Sequence, residues 1–219
     1  MKNTSTPISE IGGRMLAGLA LLALAGCAEL DGLGLAGGPV PPEATVTVSR
    51  SAVTISGPRG FCVDPSATKD RDGQAFVLLG NCAAITRSGA APQPRIRALL
   101  TAAVRETQAI EVAEQAPLLE AFLRSDNGRA MLSRESDPAT VDILESFQQG
   151  DVLYVHARDD SEGYAPGMSS DHWRAIFDLD GRVVSVAVLG FEANPLSRAE
   201  GLRAVREFAA RIQRDNPAL

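Results

Sequence analysis

The chain has 219 residues, 21 Lys and Arg against 27 Asp and Glu, a formal net charge of −6 and 45% hydrophobic residues. That length and apolar content suit one folded domain with a sizeable core rather than two. The acidic balance excludes the electrostatic footprint of a nucleic-acid binder and works against adsorption to anionic lipid.

In chain order, Lys2 and Arg14 precede an apolar run from Met15 to Ala25, and the stretch Leu24-Ala25-Gly26-Cys27 closes it. A basic start, a short apolar segment and small residues make a secretory signal peptide. The run is too short to span a bilayer as a helix, which needs roughly 20 apolar residues. The Leu-Ala-Gly-Cys order resembles the lipobox of bacterial lipoproteins. The resemblance implies that residues 1–26 are removed, that the Cys27 sulfur takes a diacylglyceryl group, and that acyl chains such as palmitate hold the protein in membrane lipid. Each buried CH₂ contributes about 0.8 kcal/mol, so several chains anchor essentially permanently. Ala28 stands where the family's inner-membrane retention signal has Asp, which implies an outer-membrane lipoprotein facing the periplasm. With Cys27 acylated, Cys62 and Cys82 are the thiols that remain, in an oxidising compartment, and they are expected to form a structural disulfide. A redox or metal-binding pair is disfavoured because the C-x-x-C spacing is missing.

Residues 27–44 are rich in Gly, Ala, Leu and Pro and read as a tether. Their G-x-G-x-x-G at Gly32, Gly34 and Gly37 has neither a preceding strand nor a following helix, so it is not a dinucleotide fingerprint. Residues 45–219 read as a single domain. Val46, Val48, Val53 and Ile55 predict a kinked strand or a tight strand pair ending at Gly57-Pro58, which Phe61 to Asp64 can extend. Ala67 to Gly73 reads as a charged loop or one helical turn, and Ala75 to Leu79 as a strand buried on both faces. Ile96 to Val104 fits a strand or a helix start; the strand is preferred. Leu118, Leu119, Phe122 and Leu123 predict a helix over 116–124, ended by Asp126-Asn127-Gly128.

Val141 to Phe147 and Leu153 to Ala157 alternate around Gln149-Gly150 and predict a hairpin. A second hairpin follows: Trp173, Ala175, Phe177 and Leu179 share a face, Asp180-Gly181 turns the chain, and Val183 to Phe191 is apolar on both faces, as a central strand should be. Asn194 with Pro195 can open a last helix whose stripe is Leu202, Val205, Ala209 and Ile212, with arginines opposite. The fold class is therefore α+β, an antiparallel sheet with an inserted helix and a long C-terminal helix packed on it. The order of elements after Ala116 resembles the α/β/α sandwich of PsbP-type proteins. That resemblance implies an accessory or binding role and transfers no functional residue.

Chemistry-bearing side chains gather in the acidic loop 158–172. His156 and His172 bracket it, and Asp159, Asp160, Glu162 and Asp171 lie within it. If the flanking strands pair, both histidines come to one sheet end, and imidazole with carboxylate suits a divalent metal. The competing reading is a solvated acidic loop, favoured because no fixed spacing such as H-E-x-x-H occurs. Ser169, Ser170, Asp171 and His172 supply hydrolase residue types, but neighbours in a chain do not converge into a triad and no G-x-S-x-G elbow is present. Asp178 to Gly181 lacks the closing Glu of a calcium loop, and no P-loop occurs. The sequence implies no cofactor and names no reaction. It points to a lipid-anchored, non-catalytic binding or accessory module with envelope partners; the alternative is a metal-binding protein or metal-assisted hydrolase built on the acidic loop.

Overall fold

The computed structural model describes residues 44–48, 53–106, 111–161 and 167–217, all within one compact unit, Val40–Leu219. The leader, Cys27, the glycine motif and nearly all of the tether lie outside the described residues.

The architecture is α+β. Strands β1 (Thr45–Val48) and β2 (Val53–Ser56) pair antiparallel with Val46 opposite Ile55, so the strand-pair reading holds. The remaining strands are β3 (Phe61–Val63), β4 (Lys69–Arg71), β5 (Gln74–Asn81), β6 (Ala98–Glu106), β7 (Val141–Gln149), β8 (Val152–Asp159), β9 (Met168–Leu179) and β10 (Arg182–Phe191). They form one antiparallel sheet in the order β3-β5-β6-β10-β9-β8-β7, and β4 shares the outer edge of β5 with β3. Both C-terminal hairpins are present. The β9–β10 turn has φ of 46° at Asp180 and 74° at Gly181, the paired positive values that a two-residue hairpin turn requires. Between β6 and β9, β10 occupies the central position its two-faced apolarity predicted.

Helices cover both faces of the sheet. On one face, α4 (Arg198–Asp215) buries Ala204, Val205, Phe208, Ala209 and Ile212 against inward residues of β5, β6, β8, β9 and β10. On the other, α2 (Val112–Arg124) and α3 (Asp126–Leu132) pack Val112, Leu123 and Leu132 onto Val141, Leu153, Val155 and Ile176. A short helix, α1 (Cys82–Thr86), follows β5, and its first residue is bonded to Cys62 of β3 with Cα atoms 4.8 Å apart. The expected disulfide therefore ties a three-residue edge strand to the end of its neighbour.

Several expectations are corrected. Residues 69–71 are a strand, because Asp72-Gly73 is a second hairpin turn with φ of 52° and 73°. Strand β5 is buried on one face only. Ala75, Val77 and Leu79 are buried while Phe76 is 40% exposed, because α2 and α3 lie over the β7–β9 half of that face. The ambiguous segment is a strand, β6, as preferred. Helix α2 begins four residues early and contains Pro117. A proline there leaves the Ala113 carbonyl without its i+4 amide, and the Gln148 side chain of β7 donates to that oxygen at 3.0 Å instead. Asp126-Asn127-Gly128 opens a helix rather than ending one: Ser125 is extended and its hydroxyl caps the Gly128 N–H. Gly128 is needed for close approach, since a Cβ there would collide with the Phe122 carbonyl. The last helix starts at Arg198, not after Asn194. Ser197 and Glu200 form a reciprocal capping box that satisfies two free amides, which outcompetes the Asn-Pro signal.

Candidate functional site

Strands β8 and β9 pair as anticipated, but in a register that separates the two histidines. His156 lies opposite Trp173, and Ala157 lies opposite His172. Directly opposed residues share a face and successive ones alternate. His156 therefore points toward α4 and His172 toward the α2 side, so the two cannot share an ion.

His156 and Asp159 are engaged elsewhere, and His172 is buried on the far face. His156 stacks on Trp173, ring centroids 4.7 Å apart and 4° from parallel, with Nε2 3.8 Å from Asp171 Oδ2. Burial lowers its pKa, and Asp171 opposes the shift only in part. His172 is buried; its Nδ1 lies 3.4 Å from the Ser170 carbonyl oxygen and its Nε2 has no hydrogen-bond partner. Burial, reinforced by the Arg174 charge, takes its pKa down to about 4. Asp159 is 1% exposed. Its carboxylate accepts from the Arg134 backbone N–H and Nε at 2.9 Å each and from the Ser161 hydroxyl at 2.5 Å. Burial pushes its pKa up, but these hydrogen bonds prevail and hold the carboxyl well below the usual carboxylate range. Asp160 is exposed, and Glu162 lies outside the described residues. Among the described residues no three His, Cys, Asp or Glu side chains converge where they could hold a metal ion. Alternation along β9 likewise puts Ser169 and Asp171 on one face and Ser170 and His172 on the other, which dissolves the triad pattern.

The His156 face instead carries an aromatic strip. Phe147 stacks on Tyr154 at 5.4 Å and meets the edge of Trp173 at 6.2 Å. Arginines of α4 roof it: Arg206 lies 5.5 Å from the Tyr154 ring centre, and Arg198 lies 6.0 Å from that of Trp173 while gripping Glu145 with two hydrogen bonds. These guanidiniums flank the apolar stripe and pack on ring faces, a contribution of about 0.5–1 kcal/mol each at exposed sites. The strip is packing that seats α4.

A concave feature with room for a ligand lies along another flank of the same N-terminal half of α4, lined by Glu200, Arg203, Ala204 and Glu207. A cleft of about 470 Å³ runs between the 92–96 segment, the Pro58–Phe61 turn and the outer face of α4. Its floor is apolar: Phe61, Leu100 and Ala204 are buried, and Ile96 packs against them. Gly60, at φ 91°, lets the wall form, since a Cβ there would collide with the Gln93–Pro94 backbone. Arg59, Arg95 and Arg203 are exposed around the mouth, and none makes an ion pair with a described residue. Sequence reasoning missed this site. Its residues come from three distant segments in no motif, and the sole advance signal was the weight of arginine in the chain's basic residues. No family model matches the chain, and no curated protein matches it either.

Proposed function

We propose that the protein is a lipid-anchored lipoprotein of the cell envelope, held at the outer membrane by acylated Cys27 and facing the periplasm, where it acts as a binding or accessory module rather than as a catalyst. The observation that carries the reading is the Cys62–Cys82 bond. Reducing compartments keep such pairs as thiols, so a disulfide built into the sheet agrees with the export signal ahead of Cys27. No helix among the described residues is long and apolar enough to cross a membrane; in this reading the lipid on Cys27 supplies the attachment. Binding rather than turnover is supported by how the chemistry-bearing groups are used: Asp159 is spent on Arg134, Asp171 on Arg158, and His156 on Trp173. Replacing Cys27 with Ser tests the anchor: the variant should move from the membrane pellet to the soluble fraction. If it still pelleted after a high-salt wash, the lipid-anchor reading would be wrong.

A further inference from the structure

We propose that the cleft beside α4 binds a small amphipathic anion, one carrying a single phosphate or carboxylate head on an apolar body. The inference rests on the binding-module reading and assigns that module its ligand chemistry. The cleft has the volume of a small-molecule site, within the usual range of about 300–1,000 Å³. Its floor of Phe61, Ile96 and Leu100 takes an apolar body, and three guanidiniums at the mouth take an anionic head. Guanidinium forks suit phosphate and carboxylate because two parallel N–H donors match two oxygens.

Charge bookkeeping favours an anion. Two carboxylates also line the cleft; that of Glu200 accepts from the Ser197 N–H at 3.0 Å and the Ser197 hydroxyl at 2.6 Å, which turns it toward the cap of α4 and leaves it charged. Arg59, Arg95 and Arg203 against Glu200 and Glu207 leave an excess of one positive charge in a chain whose net charge is −6. A neighbouring hollow near Leu78, Ile85 and Leu99 shows the contrast, since its two charged groups, Arg97 and Asp64, balance.

The head could belong to a membrane lipid or to a free organic anion, and the test separates the two. Octyl phosphate is titrated by calorimetry into the purified full chain carrying Cys27→Ser, beside inorganic phosphate and the neutral octyl glucoside. Flotation with phosphatidylglycerol vesicles is compared with phosphatidylcholine. Octyl phosphate should bind, both controls should bind at least about tenfold more weakly, and the triple variant Arg59→Gln, Arg95→Gln, Arg203→Gln should lose about tenfold or more in affinity. Arg97→Gln should bind as the parent does, and matching circular dichroism melts show that the variants fold. Co-flotation with phosphatidylglycerol that the triple variant loses assigns the head to a lipid; octyl phosphate binding without it assigns a free anion. Binding retained in the triple variant, equal binding of either control, or no octyl phosphate binding overturns the proposal. The Cys27→Ser fractionation reads the anchor independently of every one of these outcomes.

Discussion

His172 shows how one buried side chain makes stability depend on pH. Its pKa of about 4 lies below the value near 6.5 of an unfolded histidine, because protonation would place a charge and an unanswered N–H where Nε2 now has no partner. The unfolded chain then binds the extra proton, so stability is complete above pH 6.5 and declines as pH falls toward 4. The loss between pH 7 and pH 5 should be roughly 2 kcal/mol, with His156 acting in the same direction. Urea unfolding of His172→Asn across that range should give a flatter profile; an unchanged slope would assign the effect elsewhere. Asp159 works with the same sign in a more acidic window. Its depressed pKa stabilises the fold above the unfolded carboxylate value near 3.9, and that contribution fades as pH falls below it. Asp159→Asn leaves the Arg134 guanidinium, 18% exposed, without its counter-charge. A loss of about 3 kcal/mol at pH 7 is expected from chemical denaturation.

At the scale of elements, one contact between backbone and ring sets how closely the start of α4 approaches the sheet. A Cβ on Gly201 would sit 2.5 Å from Trp173 Cδ1, so the helix lies against the indole only because that position has no side chain. Helix propensity favours Ala over Gly by about 1 kcal/mol, but overpacking a rigid core typically costs about 1–3 kcal/mol. The indole is held between His156 and Phe147 and cannot swing aside. Gly201→Ala should therefore lower the urea midpoint; a rise would mean that the indole yields and propensity decides.

For the whole molecule, the weak point is the sheet edge at β3, three residues long and paired only with Asn81, Gly80 and Leu79 of β5. So short a strand holds few backbone hydrogen bonds, and the Cys62–Cys82 bond, spanning 20 residues, fixes it through chain entropy. Cys82→Ser should cost about 3 kcal/mol and leave the proposed anchoring through Cys27 unchanged. Thiol labelling of the unfolded, unreduced mature protein should find neither cysteine reactive; two reactive thiols per molecule would contradict the bond.

Local chemistry was legible in the amino-acid order. Asp180-Gly181 turns the chain because both residues tolerate positive φ, alternation marked the C-terminal strands, the two-faced apolarity of 183–191 placed a strand at the sheet centre, and the stripe from Leu202 to Ile212 marked the face α4 buries. Each of these follows from dihedral preference or side-chain period, properties a few neighbouring residues carry by themselves. Where two local signals competed, the sequence could not arbitrate: Asn194-Pro195 lost to the Ser197–Glu200 box, and Asp126-Asn127-Gly128 became a start because Ser125 supplied the cap. Tertiary structure alone decided the sites. A shift of one residue in strand register reverses which face every side chain takes, so only the pairing of His156 with Trp173 shows that the two histidines are divided by the sheet. Arg59, Arg95 and Arg203 meet because a turn, a loop and a helix close around one apolar floor, a proximity that packing creates and no local pattern encodes.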